Sequence, residues 1–297
     1  MFQGLFKQPF EVKEYEPSAV LDEPWRELRW GNVQEDRQYV QEYKPAQDDI
    51  RYLRVLLYGP VGAGRSSFIN SVSNVMRGRM STPALACAGS VPFTKTYETH
   101  KFLKGQGSSK TFYPVVFTDT MGLEEGDSRG VHVDDIKLAL KGHVKEGHKV
   151  QPKKFNPFSP LVESHPDYNP NPSADDKVHV LVCVISAHSS QIRSSVLEKM
   201  KNVRETASEL EIPHMAIMTN IDEACGETEK DLWNVYKSKH LRKKMADFSA
   251  AVGIPLNCIF PVKNYSHEID LNEDVDTLIL SALRKMIDFG DDFIEKF

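Results

Sequence analysis

The chain of 297 residues is poor in cysteine, with only Cys87, Cys183, Cys225 and Cys258, all far apart. No C-x-x-C pair and no H-E-x-x-H run occurs, so the spacings of a zinc cluster or a metalloprotease helix are missing. Cys183 and Cys258 fall in apolar, strand-like runs and read as buried thiols of a reducing compartment. No apolar run approaches the ~20 residues of a membrane-spanning helix. The opening Met1-Phe2-Gln3-Gly4-Leu5-Phe6-Lys7 lacks the apolar core and cleavage site of a secretory leader, and no glycine follows Met1. The closing Ile294-Glu295-Lys296-Phe297 offers no cysteine to prenylate. Excess positive charge is missing too: 37 Lys+Arg against 42 Asp+Glu leave −5, which gives no general support for nucleic-acid binding. What remains, 40% hydrophobic and 27% charged, is a globular composition, expected to be cytoplasmic.

Against these absences stands Gly59-Pro60-Val61-Gly62-Ala63-Gly64-Arg65-Ser66. It matches the phosphate-binding loop G-x-x-x-x-G-K-[ST] at every defined position except Arg65, which replaces lysine. The apolar run Arg54-Val55-Leu56-Leu57-Tyr58 precedes it, as a buried parallel strand would. After it, Phe68, Ile69, Val72, Val75 and Met76 mark one face of a helix. The candidate phosphate contacts are the backbone of Gly59, Val61, Gly62, Ala63 and Gly64, and the helix start at Arg65, Ser66 and Ser67. The Ser66 hydroxyl is a candidate Mg²⁺ ligand. Arg65 keeps the lysine's charge on a longer, planar group, and the two are not interchangeable at such a site. Two readings stay open: an exchange that alters nucleotide binding, and a site that has lost it.

Two later segments bear on metal and base. Val115-Val116-Phe117-Thr118-Asp119-Thr120-Met121-Gly122 is an apolar strand ending in D-x-x-G. Asp119 is a candidate Mg²⁺ ligand, directly or through water, and Gly122 a candidate backbone contact to the terminal phosphate. Thr94, between Ser66 and Asp119, is the candidate second hydroxyl on the metal, with Thr96 as its alternative. Met215-Ala216-Ile217-Met218-Thr219-Asn220-Ile221-Asp222 again ends a strand in a polar cluster. GTP-binding proteins commonly carry N/T-K-x-D there, because a carboxylate accepts from guanine N1 and N2 and adenine lacks that donor pattern. Asp222 and Thr219 fit, whereas Asn220 stands where the lysine stem would lie along the base. The competing reading makes Asp222 the N-cap of a helix over 227–248. Pro261-Val262-Lys263-Asn264 falls where a backbone segment closes over guanine, with Lys263 as its candidate.

Order and spacing together resemble a TRAFAC-type GTP-binding domain, and more closely the interferon-induced protein 44 and 44-like family. The likeness rests on Leu57 through Val72 around the loop, Cys87-Ala88-Gly89-Ser90, Asp119-Thr120-Met121-Gly122-Leu123, Leu140-Lys141-Gly142-His143-Val144 and Val262-Lys263-Asn264-Tyr265. It spans roughly residues 25 to 290. It implies a cytoplasmic, interferon-inducible protein of antiviral innate immunity with a guanine-nucleotide-binding domain using GTP or GDP and Mg²⁺. Family members often carry lysine in the loop, so Arg65 is a departure.

Organisation follows the same pattern. Residues 1–50 read as a polar N-terminal arm whose Trp25 and Trp30 pack on the core, and 51–297 as a G-like P-loop domain. Strands are expected near 52–58, 97–103, 111–118, 178–186, 214–219 and 257–261, and helices near 65–77, 132–146, 190–210, 229–251 and 272–289. The fold expected is α/β, a doubly wound, mainly parallel sheet with one antiparallel hairpin strand, its ligand at the carboxyl ends of the strands. A proline-rich stretch over 147–177 reads as a flexible surface insertion. Leu123 stands where many small GTPases place a water-orienting glutamine, and Glu124 and Glu125 would face a negative phosphate. Turnover is therefore expected to be slow or absent, with no catalytic residue assigned. The leading expectation is a nucleotide-sensitive interaction module with unidentified protein partners. The alternatives are a slow GTPase acting as a homodimer and a scaffold that binds no nucleotide.

Overall fold

The structure, a computed structural model, describes residues 19–81, 96–105, 111–126, 130–148, 161–188 and 192–296. Thr94, residues 87–90, the hairpin turn at 106–110 and residues 149–160 of the insertion lie outside the described residues.

Strand β1 (Leu53–Tyr58) is apolar on both faces and almost wholly buried, which places it inside a sheet covered on both sides. It runs parallel to β3 (Thr111–Asp119) on one flank and to β4 (Val180–Ser186) on the other. Beyond β4 come β5 (His214–Thr219) and β6 (Ile259–Pro261), both parallel. At the opposite edge β2 (Glu98–Lys104) pairs antiparallel with β3. The order β2-β3-β1-β4-β5-β6 is the mainly parallel, doubly wound sheet expected from the sequence. Helices α1 (Val33–Glu42), α2 (Arg65–Arg77) and α8 (Glu273–Ile294) pack together on one side, and α3 (Val133–Leu140), α4 (Ser194–Glu209) and α7 (Lys239–Val252) on the other.

Residues 19–50 lie against this domain. The Trp25 ring meets Tyr236 edge-on at 5.2 Å, and Trp30 stacks on Trp233 at 5.0 Å. Between them Arg26 donates to the carbonyls of Ile259 at 2.7 Å and Leu256 at 2.5 Å. Ion pairs Arg37–Asp276 and Arg284–Asp36 join α1 to α8.

Two expectations fail. After the short α5 (Ile221–Ala224), the single helix expected over 229–251 is instead the end of α6 (Gly226–Lys230), a 3₁₀ turn at Leu232–Asn234, and α7. Local polar groups restart the chain each time. The Asp231 carboxylate accepts from Trp233 N at 2.9 Å, and the Ser238 hydroxyl caps α7 by accepting from Leu241 N at 3.1 Å. The insertion, expected to be flexible, is tied down over its described residues, 147–148 and 161–177. Asn169 N donates to His143 O at 2.8 Å, Lys145 N to Asp167 O at 3.0 Å, and Arg51 bonds the Asp175 carboxylate through its backbone N at 2.7 Å and its Nε at 2.5 Å.

Candidate functional site

Four strands deliver their following loops to one end of the sheet. β1 supplies Gly59 to Ser66, β3 supplies Asp119 to Leu123, β5 supplies Thr219 to Asp222, and β6 supplies Lys263 and Asn264. This is the end where open α/β sheets bind ligands. The first turn of α2 has Gly64 as its N-cap and no side-chain cap. Among the described residues its N–H groups and the positive end of the helix dipole therefore meet no side-chain cap, an arrangement that suits an anion.

Arg65 does not reach outward. It is 8% exposed. Its Nε donates to Asp119 Oδ1 at 2.8 Å, Nη1 to Gly59 O at 2.7 Å and Pro60 O at 3.1 Å, and Nη2 to Thr120 O at 3.0 Å. Ser66 Oγ donates to the second Asp119 oxygen at 3.3 Å. Asp119 is 1% exposed, so the ion pair is buried on both sides. A buried pair persists where its hydrogen bonds are this complete, and removing one partner strands the other. The candidate metal ligands Ser66 and Asp119 thus stand together, but the carboxylate is already held by an internal cation.

The D-x-x-G segment lies directly on the phosphate loop. Leu123 N donates to Gly59 O at 2.9 Å and Val61 N to Leu123 O at 3.4 Å. Between them Gly122 approaches so closely that a Cβ there would stand 2.5 Å from Val61 Cγ2 and 2.9 Å from Val61 N. Only glycine fits. Leu123 is buried at 1% exposure, so its side chain faces the interior.

On the other side of the loop Thr219 is fully buried, its hydroxyl 2.8 Å from Ala63 O, 3.1 Å from Ile185 O and 2.9 Å from Asn220 Oδ1. It braces the phosphate loop against β5. Asn220 is left-handed (φ 55°) and its amide turns to Glu223 Oε1 at 2.9 Å. Asn220, and not Asp222, is the residue that begins α5, which corrects the N-cap reading of Asp222. The Asp222 side chain stays 22% exposed, with Lys263 Nζ 3.7 Å away and Glu268 Oε1 3.1 Å beyond on the same ammonium. Burial works against the Lys263 charge, but Glu268 and Asp222 outweigh it and raise its pKa. For Glu268 burial is likewise the largest influence, yet the Ser266 N–H and Lys263 together hold its carboxyl at about 2.

Asn264 Nδ2 donates to Gly64 O at 3.3 Å, while its Oδ1 is buried without a hydrogen-bond partner. An orphaned acceptor beside the loop is a place for a donor to bind. Tyr265 fixes this segment: its N donates to Ser71 Oγ at 2.9 Å and its hydroxyl to Asp276 Oδ1 at 2.7 Å. No sequence signal marked Ser71 or Asp276, because their part is to hold another loop in place.

The residues present therefore fit a guanine nucleotide at the helix start and on the base side. At the metal position the oxygen ligands are of the right kind but engaged by Arg65. A separate cavity of about 400 Å³ adjoins the loop, between Pro60, Val61 and Leu123 on one wall and Ile192 and Arg193 on the other. An Arg193–Glu125 ion pair spans these two segments. No motif had pointed to Arg193.

No family model matches the chain. Two solved structures share the fold loosely. Toc33 from Arabidopsis thaliana, a dimerization-deficient mutant, is 14% identical with a TM-score of 0.48, covering 88% of this chain and 93% of that one. A structure of the chloroplast translocon components atToc33 and psToc159 is 16% identical with a TM-score of 0.43, covering 88% and 91%. The relatives in sequence are nearer. Interferon-induced protein 44 of Mus musculus is 32% identical over 259 residues, covering 87% of this chain and 59% of the relative. The Homo sapiens protein is 33% identical over 254 residues, covering 85% and 55%. Interferon-induced protein 44-like of Homo sapiens is 30% identical over 257 residues, covering 86% and 55%. The chain thus spans a little over half the length of these relatives. Over that shared length the chain belongs to the interferon-induced protein 44 and 44-like family.

Proposed function

We propose that the chain is a guanine-nucleotide-binding module of interferon-induced, cytoplasmic antiviral defence, sensitive to nucleotide and weak or inactive in hydrolysis. The observation that carries this reading is the convergence of the phosphate loop, Asp119, Asp222 and Lys263 at one end of the sheet. Asp222 supplies the acceptor that guanine requires, and the uncapped start of α2 supplies the phosphate side. Mg²⁺ would be held by Ser66 and Asp119, supplying charge at the phosphates. Buried Leu123 cannot orient a water, which supports slow or absent turnover. Protein partners, a second copy among them, would meet the surface formed by the loop with Glu124 and Glu125.

The test is calorimetry of GDP, GTP and ATP on the full chain with Mg²⁺, beside Asp222→Ala. The expected result is guanine binding in preference to ATP that Asp222→Ala abolishes. Equal binding of ATP, or binding indifferent to Asp222→Ala, would refute the guanine site. A second reading has its own support in the four hydrogen bonds that engage four of the five N–H donors of Arg65. In it the closed loop excludes nucleotide and the fold serves as a scaffold. It predicts no binding by the unmodified chain at any concentration of GDP, with binding restored by Arg65→Lys.

A further inference from the structure

We propose that His148, His165 and Asp167 form a binding site for one divalent transition metal of the zinc class. The site lies within the insertion where it meets the residue before β2, and His148 lines a small pocket together with Tyr97, Thr120 and Met121. Three ligand atoms, one from each side chain, lie within 4.8 Å of one another. His148 Nδ1 is 2.9 Å from Asp167 Oδ2, and His165 Nδ1 is 3.9 Å from the same oxygen. The two imidazoles stand edge to face, 5.5 Å between centroids.

Zinc holds imidazole nitrogens and carboxylate oxygens at about 2.0–2.2 Å, which sets ligand atoms roughly 3.4 Å apart around a tetrahedron. The widest separation, no more than 4.8 Å, must close by at most about 1.4 Å, and the exposed His165 ring supplies this by turning and giving up the bond it accepts from Asp167 N at 3.1 Å. Two imidazoles and one carboxylate suit zinc and its neighbours, whereas Mg²⁺ and Ca²⁺ take oxygen ligands.

The surrounding frame is built. His148 O accepts from Tyr97 N at 2.8 Å and Gly147 N donates to Tyr97 O at 2.9 Å, so the first ligand is fixed to the chain entering β2. Lys145 N donates to Asp167 O at 3.0 Å, which fixes the third ligand to the same stretch. His148 is buried and lines its small pocket with Asp135, whose carboxylate accepts from Leu161 N at 2.6 Å. An ion pair with Asp167 needs only His148. The second histidine is exposed to solvent and its Nδ1 accepts from Asp167 N at 3.1 Å, which holds its ring beside the carboxylate as a further ligand. With three protein ligands the fourth position is left to water, and the metal would act as a clip between the start of the insertion at His148 and its later part at His165 and Asp167. The spacing His148 to His165-x-Asp167 matches no common zinc motif, which is why the sequence did not mark it.

The test uses the full, untagged, chelator-treated chain titrated with Zn²⁺, and with Co²⁺ read by its visible absorption. His165→Ala is the deciding variant, because His165 is exposed and its loss leaves the core intact. Asp167→Asn is the second variant, and circular dichroism checks folding in each. The expected result is one equivalent of bound metal, a rise in Tm on adding Zn²⁺, and at least tenfold weaker binding in both variants, with no competition from Mg²⁺. No binding by the unmodified chain, or binding undiminished in both variants, would overturn the site.

Discussion

Replacing Arg65 by lysine should push stability and nucleotide affinity in opposite directions. The guanidinium makes four hydrogen bonds, to Asp119, Gly59, Pro60 and Thr120. A single ammonium on a thinner stem cannot span from Asp119 to both loop carbonyls and Thr120 at once, so roughly two of the four are lost. A hydrogen bond to a charged group contributes about 1.5–3 kcal/mol, and rehydration of the lysine recovers part of the loss. The nucleotide-free Arg65→Lys chain should therefore unfold about 2–3 kcal/mol more easily. If Arg65 must leave Asp119 before a nucleotide and its metal enter, weakening the closed form strengthens apparent binding by the same free energy. That is about 30–150-fold in Kd for GDP with Mg²⁺, at 1.4 kcal/mol per decade. Urea denaturation without nucleotide measures the first quantity and calorimetry the second. Arg65→Ala is the control: it strands a carboxylate that is 1% exposed, costs about 3–5 kcal/mol, and removes the cation that a phosphate would need. A lysine variant that is as stable as the parent, or less stable with no gain in affinity, would refute the coupling between the Arg65 contacts and the ligand.

Other perturbations probe the frame around the site. Burial, followed by the Arg54 charge, holds His179 down at about 4. The folded chain therefore binds fewer protons than the unfolded one below pH ~6.5, and stability falls as pH drops from ~6.5 toward ~4, by about 2 kcal/mol at pH 5. Urea midpoints at pH 7 and pH 5 should show His179→Gln losing less stability over that interval, and identical losses would count against the assignment. Gly290 on α8 leaves so little room that a Cβ would stand 2.4 Å from Leu53 Cδ1 and 2.7 Å from Val180 Cγ2. Gly290→Ala should thus cost about 1–3 kcal/mol in thermal unfolding, and an unchanged Tm would mean α8 can move away from the sheet freely. Leu123→Gln buries an amide and should destabilise by about 1–3 kcal/mol without raising GTP turnover, because the segment stays bound to Gly59. A turnover gain in phosphate-release assays would show that a water can be placed there after all.

The parallel sheet was legible because local rules fix it, and among the described residues the loops after β1, β3, β5 and β6 stand at its carboxyl end as read. An apolar run such as Val180 to Ile185 reads as a strand covered on both faces, and the glycines at Gly59, Gly62 and Gly64 mark backbone at positive φ, with Gly59 also pressed against Val184 O. The direction of Arg65 was not legible. It depends on Asp119 and Thr120, more than fifty residues along the chain, arriving at hydrogen-bonding distance. The break between α5 and α7 was hidden for a related reason. The run from Glu227 to Phe248 keeps a helical apolar pattern, yet Asp231 and Ser238 offer local acceptors that compete with helix hydrogen bonds. Asp222 was placed with the base-side loop, but the sequence could not show that Lys263 is shared with Glu268, or that Asn264 keeps an unpaired oxygen facing the same loop.

The two halves of the site differ in how completely their polar groups are used. On the base side Asp222 keeps solvent access, Lys263 is divided between two acids, and Asn264 Oδ1 has no partner. These groups gain by meeting a ligand and give up little. On the phosphate side the guanidinium, the Asp119 carboxylate and three carbonyls already satisfy one another below the surface. A ligand there must replace bonds that are already made, at a cost set by a buried pair. On the proposed guanine reading, selectivity for the base would therefore be kept even where affinity is low, and the step that limits occupancy would be the release of Asp119. That separates the two substitutions cleanly: a change at Asp222 alters which nucleotide binds, whereas a change at Arg65 alters how tightly any nucleotide binds.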